Sequence, residues 1–307
     1  MRQGIHQRVS LAFLLGLLLF LASSCIYIDG CGYGTGWGAS ARHERQVELS
    51  APLPAGSAFQ ARTRDGSITV EGAATSECTV LATIRAYAKT QEKAQELAEE
   101  IQVKLEASDA GLAVVIDKPT LIQNASFGVS LVVTLPVQTS LDLVTSDGSV
   151  RITNIQGAIV ATTSDGSVRV EHVQGNARLK TSDGSIHLAQ MRGDSLEART
   201  SDGSIRGESL AATHLVCHTS DGSIHVECAP DAPNAPEIAL TTSDGGITFA
   251  APPDLSAVID ASTSDGSIHT SLPITVHGRV GKSLNGTIGA GEGRVTLRTS
   301  DGSITIR

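Results

Sequence analysis

Apolar and polar residues alternate along most of this chain in short runs, paired on either side of a recurring pentapeptide, TSDGS or a close variant. Ahead of it stand Leu141 and Leu143, Ala177 and Leu179, or Leu215 and Cys217. Behind it stand Val150 and Ile152, Val168 and Val170, Ile186 and Leu188, or Ile224 and Val226. A period of two on both sides predicts two strands per unit, each with one buried face. The Asp-Gly between them predicts a turn, because glycine tolerates positive φ and aspartate can bond its own backbone. Gln156-Gly157, Gln174-Gly175 and Arg192-Gly193 supply a second turn that closes the unit.

The pentapeptide sets Asp65, Asp147, Asp165, Asp183, Asp202, Asp221, Asp244, Asp265 and Asp301 in one phase, and Asn285 of SLNGT falls in the same slot. From Asp147 onward most steps are about 18–20 residues. Two architectures satisfy this parity. In a β-solenoid each unit is one coil and equivalent residues stack about 4.8 Å apart. In an antiparallel hairpin array each Asp-Gly is a tight turn. Identical residues at identical phases are what stacking rewards, so the expected fold is mainly all-β, a solenoid over residues 141–307. Thr145, Thr163, Thr181 and their equivalents share the inward parity of Leu143 and Val150.

Residues 51–140 interrupt the pattern. They read as a first coil around Asp65 plus an α+β cap over the end of the stack. Cys78–Ala88, Leu112–Ile116 and Ser130–Leu135 alternate like strands. A helix is expected over 90–106, with Thr90 as N-cap and Ala94, Leu97, Ala98, Ile101 and Leu105 on one face. At the other end the chain stops at Arg307 after a strand-like SITI. That suggests an unpaired edge guarded by Arg294, Arg298 and Arg307, and weak end-to-end self-association.

The N-terminus carries an address. Arg2 and Arg8 precede an apolar run, Val9–Ala22, too short to span a membrane comfortably but suited to a signal peptide over 1–24. It ends in LASSC, which resembles the bacterial lipoprotein signal, so Cys25 is the expected lipidated residue. The Gly-rich stretch that follows reads as a tether over 25–50. The resemblance implies an exported, membrane-anchored protein of the outer membrane or cell surface.

Composition narrows the partners. A net charge of −9 argues against nucleic acid, which needs a concentrated basic face. Aromatic residues are only 3%, which suits thin β-layers of Val, Ile, Leu, Ala and Thr. No cofactor motif is present, and none of Cys31, Cys78, Cys217 and Cys228 has metal-ligand spacing. Cys217 and Cys228 flank one turn with the same parity, compatible with either a disulfide or two buried thiols.

The VTLPVQTSLDLVTSDGSV stretch, the repeated SDGSI units and a strand-rich N-terminal part with one helix together resemble the bacterial putative-adhesin family of β-strand repeats. The resemblance covers most of residues 50–307. It implies the solenoid and an adhesive duty, and it brings no catalytic residues.

Two exposed columns are the candidate sites. Asp147, Asp165, Asp183, Asp202, Asp221, Asp244, Asp265 and Asp301 form an acidic column. Its aspartates either cap their own turns or bind calcium, although one carboxylate per coil is thin for an ion that wants six to eight oxygens. Arg151, Arg169, His187, Arg206, His225 and His269 form a second column. That column either balances the aspartates or offers a stripe to anionic glycans, with metal binding by His187 and His225 a third reading. The acids are spread evenly rather than paired at one irregular spot, and no GxSxG or HExxH motif occurs. The expected function is a lipid-anchored, non-enzymatic envelope module that adheres to, or scaffolds, an envelope polysaccharide or another surface protein. A carbohydrate-active solenoid enzyme and a calcium-binding solenoid are the alternatives.

Overall fold

A computed structural model describes residues 41–108, 111–118, 125–276 and 281–307. Cys25, Cys31 and the apolar run before them lie outside these. Among the described residues no helix is long and apolar enough to cross a membrane.

The repeats stack as parallel coils. β8 (Ser140–Val144), β10 (Ile159–Thr162) and β12 (Ala177–Lys180) lie side by side, with Ile159 opposite both Leu141 and Ala177. β9 (Val150–Gln156), β11 (Val168–Gln174) and the start of β13 (Ile186–Arg199) stack likewise, with Val168 opposite Val150 and Ile186. Strands pair with their equivalents one coil away and in parallel, which a hairpin array cannot do. β14 (Ile205–His218), β15 (Ile224–Cys228), β16 (Glu237–Thr241) and β17 (Ile247–Ala250) continue the two stacks.

The four coils of Asp147, Asp165, Asp183 and Asp202 each have a bend that a two-strand unit does not include. Asn154, His172, Gln190 and Ser209 all take positive φ, between 52° and 58°. They stack at the same level of successive coils and turn the chain between two inward residues, such as Val170 and Val173. The coil is therefore three-sided, cornered at TSDGS, at this left-handed residue, and at Gly157, Gly175 or Gly193.

The TSDGS corner is locked by its threonine and glycine, not by left-handed glycine. Thr163 Oγ1 donates to the Ser146 and Gly148 carbonyls one coil below, at 3.0 and 2.9 Å, and accepts the Gly166 amide at 3.3 Å. The same triad recurs at Thr145, Thr181, Thr200, Thr219, Thr242, Thr263 and Thr299, all buried. A Cβ on Gly184 would stand 2.0 Å from the Gly166 carbonyl oxygen, and each turn glycine from Gly148 to Gly302 meets the glycine beneath in the same way. These glycines do not have positive φ. They are required because one backbone sits directly on the next.

The N-terminal cap corrects two expectations. β1 (Ala41–Pro52) pairs antiparallel with β4 (Glu77–Ala88) along its whole length, so the expected tether ends before Ala41. β1 has little apolar pattern of its own and becomes a strand by bonding to β4, whose alternate residues are fully buried. The helix α1 is short, Gln91–Glu100, with Thr90 Oγ1 accepting the Lys93 amide. Ile101 is already extended, and β5 (Gln102–Ser108) pairs antiparallel with β6 (Gly111–Asp117). Ile101, Val103 and Leu105 also fit a period of two, and sheet pairing takes them from the helix. β6 lies under β2 (Ala58–Arg62), and β7 (Ser126–Pro136) lies under β3 (Ile68–Ala73). β2 and β3 are the first coil, stacked below β8 and β9.

The C-terminal end departs furthest from expectation. β18 (Ala257–Ser262) and β19 (Ile268–Thr270) form the coil of Asp265, and the chain then runs through β20 (Thr275–Val276) and β21 (Ser283–Ile288). β22 (Gly293–Arg298) returns between β16 and β18, and β23 (Ile304–Ile306) between β17 and β19. The Asp301 coil is thus inserted between those of Asp244 and Asp265. The edge expected at Arg307 does not exist, since β23 is paired on both sides, and with it goes the basis for self-association there. Asn285 is not a turn residue. It lies on β21, which runs antiparallel against β18 with Asn285 opposite Asp260.

Candidate functional site

The turns order the acidic column. The amide of each aspartate bonds to the turn below: Asp147 to Arg64, Asp165 to Ser146, Asp183 to Ser164, Asp202 to Ser182, Asp221 to Ser201 and Asp244 to Ser220. Asp301 then bonds to Ser243, and Asp265 to Ser300. All these side chains are exposed. Among the described residues none of the column carboxylates accepts a hydrogen bond from its own turn amides, because the serine and aspartate amides are spent on the coil beneath. The expected self-capping is therefore not how the column is held. Asp265 has Lys282 at 3.2 Å. At the lower end burial, then the neighbouring Asp147 carboxyl, pushes the Asp65 carboxyl above its ordinary range. Among the described residues no group of three or more metal-binding side chains forms.

The second column is in register. Arg151, Arg169, His187, Arg206 and His225 lie directly opposite one another on successive strands, followed by Thr248, Thr305 and His269. Its charge is not balanced by the aspartates. Arg169 pairs with Glu171, and Arg206 with Glu208 at 2.5 Å, each two residues along its own strand. Those hydrogen bonds hold both glutamates below the ordinary carboxylate range. Burial, then the neighbouring Arg169, lowers His187; burial, then Arg206, lowers His225. Among the described residues Arg151 has no ion pair, and His269 Nε2 meets Ser267 Oγ at 2.9 Å.

Cys217 and Cys228 are free thiols, so the disulfide alternative is not realised. Burial pushes both up to about 12, as it does Cys78, which keeps them protonated and unreactive at neutral pH.

The left-handed residues went unseen in the sequence reading. Asn154, His172 and Gln190, with Gln156, Gln174 and Arg192, line an open groove of about 420 Å³. Their signal is a slip of phase, since Ile152 and Ile155, Val170 and Val173, and Leu188 and Met191 are inward pairs spaced by three.

A capped parallel stack whose faces carry columns of repeated side chains is the architecture of a β-solenoid repeat protein. The chain belongs to the Toastrack DUF4097 family, which it matches over residues 55–307. It is similar to a solved putative adhesin from Parabacteroides merdae, with 11% identity over 85% of this chain and 96% of that one, at a TM-score of 0.44. A putative adhesin from Bacteroides fragilis gives 12% identity over 85% and 97%, at 0.39. A structure titled as a putative lipid binding protein from Parabacteroides distasonis gives 14% over 89% and 98%, at 0.35. No curated protein matches significantly.

Proposed function

We propose that this chain is an exported, lipid-anchored module of the cell envelope whose solenoid adheres or scaffolds by binding alone. The observation that carries the reading is the unbroken column of turns stacked on that of Asp65, from Asp147 to Asp265, each bonded to the one beneath. Such a stack presents the same side chains over and over, and a repeating partner can meet many weak contacts without a deep pocket. The LASSC ending of the apolar run supports Cys25 as the lipid acceptor. The Arg and His column is the surface we assign to an anionic envelope polysaccharide, with Arg151 its unmatched charge.

Metabolic labelling with a fatty acid, fractionation, and protease treatment of intact cells test the reading. Wild-type protein should be labelled, stay with the envelope and be clipped from outside. Cys25→Ser should be unlabelled and released. Labelling that survives the substitution overturns the anchor, and a wild-type protein shielded in intact cells overturns adhesion.

A further inference from the structure

Along the stack each turn rests on another turn, but the first does not. Beneath Asp65 strand β7 runs straight past, with Gly128 so close that a Cβ there would stand 2.0 Å from the Asp65 carbonyl oxygen. The regular column therefore ends in a cleft between solenoid and cap. It consists of two adjoining cavities, of about 580 and 520 Å³, that share Arg64, Asp65 and Phe127. Tyr87 lines the first and Lys118 the second. Elsewhere the described surface is built of columns from equivalent positions of successive coils, whereas here aromatic, cationic and carboxylic groups from different elements line one cleft.

We propose that this cleft binds an acidic saccharide of two or more units; the inference rests on the reading of the chain as a binding module and names a ligand class for it. Three chemistries converge on that class. Tyr87, half-buried in the first cavity, offers flat apolar surface to the C–H face of a sugar ring. The carboxyls of Asp65 and Asp147 can accept hydrogen bonds from sugar hydroxyls. Arg64 and Lys118 are left for the sugar's own carboxylate. Arg64 is 81% exposed and its nearest acid, Asp65, is 3.7 Å away, outside hydrogen-bond range. A guanidinium so placed can take a carboxylate through both of its N–H groups. Each lobe falls within the about 300–1,000 Å³ of ordinary ligand sites.

Calorimetric titration of the full chain in detergent tests this, with trigalacturonate as the acidic probe and maltotriose as the neutral one. Trigalacturonate should bind at least tenfold more tightly than maltotriose. Arg64→Ala and Tyr87→Ala should each weaken it about tenfold, while Arg178→Ala, an exposed cation on β12 paired with Glu197 outside both the cleft and the Arg and His column, leaves it unchanged. Circular dichroism of the variants controls for folding, and Lys118→Ala, at an exposed position, gives an independent arm that should also weaken binding. Equal affinity for the two probes overturns the proposal. So does loss of binding in an Arg169→Ala/Arg206→Ala variant of the repeat column with retention in Arg64→Ala, a result that would move the site to that column and leave the binding reading intact. Cleavage of trigalacturonate would overturn the binding-only role and fail both.

Discussion

The hydroxyl of Thr181 donates to the Gly166 carbonyl of the coil beneath at 2.8 Å and accepts the Gly184 amide of its own turn at 3.3 Å. One buried side chain thus joins two coils and closes a turn. Thr181→Val keeps the shape and removes the hydroxyl, leaving the Gly184 amide and the Gly166 carbonyl short of a partner, while the Ser164 carbonyl keeps the Ser182 and Asp183 amides. We expect a loss of about 1–3 kcal/mol in urea unfolding, and a smaller loss for Thr181→Ser, which keeps the bonds. A valine variant as stable as the wild type would show that the threonines merely fill space.

Glycine substitutions separate close approach from backbone freedom. Gly184→Ala should be more damaging than Thr181→Val, since its Cβ would lie 2.0 Å from a backbone oxygen that cannot move without shifting a whole coil. Gly246 is the contrast. Most other coils have serine there, its φ is ordinary, and a Cβ would meet only the Ser303 oxygen at 3.3 Å. Gly246→Ser should be neutral or stabilising by about 0.4–1 kcal/mol in thermal unfolding.

The order of the last coils can be tested by truncation. Removing residues 293–307 takes out β22 and β23, which lie between the coils of Asp244 and Asp265. Limited proteolysis should then cut within 257–291 while the stack below Asp244 stays protected. Persistent protection of 257–291 would mean that the Asp265 coil docks directly on the Asp244 coil.

The contrast between these elements shows how far the sequence is legible. Side-chain parity and the turn motif point to parallel stacking, because each coil must bury the same face and bond to the coil beneath. They carry no information on which coil lies on which. STSDGSIHT at Asp265 and RTSDGSITI at Asp301 present nearly the same surfaces, so their order follows from how the chain between them is led through β20 and β21. Asn285 misleads for a related reason. In SLNGT the residue before Asn is Leu284, fully buried, where true turns hold a solvent-facing or half-buried serine. The cleft at Asp65 is illegible altogether, since Arg64 and Tyr87 in one cavity, and Arg64 and Lys118 in the other, are brought together only through sheet pairing.

Two titrations distinguish the columns. The Asp65 carboxyl is raised in the folded state, so its contribution to stability is full below the unfolded value of about 3.8 and is lost as pH rises through the higher folded value. Asp65→Asn should therefore raise Tm at pH 7 and change it little at pH 3. His187 and His225 are lowered, so their contribution is present above about 6.5 and falls away as pH drops through the folded values. Below that range both become cations, and retention on dextran sulfate should rise, an increase that His187→Gln/His225→Gln abolishes. A flat pH profile would remove the histidines from the binding surface.

Attachment of intact cells to immobilised polygalacturonate tests the central claim, an anchored adhesive solenoid, most directly. Cells carrying the wild-type chain should attach, and attachment should be lost with Cys25→Ser and fall at least tenfold with Arg64→Ala combined with Arg151→Ser. Equal attachment by cells carrying the wild type, either variant or no copy of the chain would contradict it.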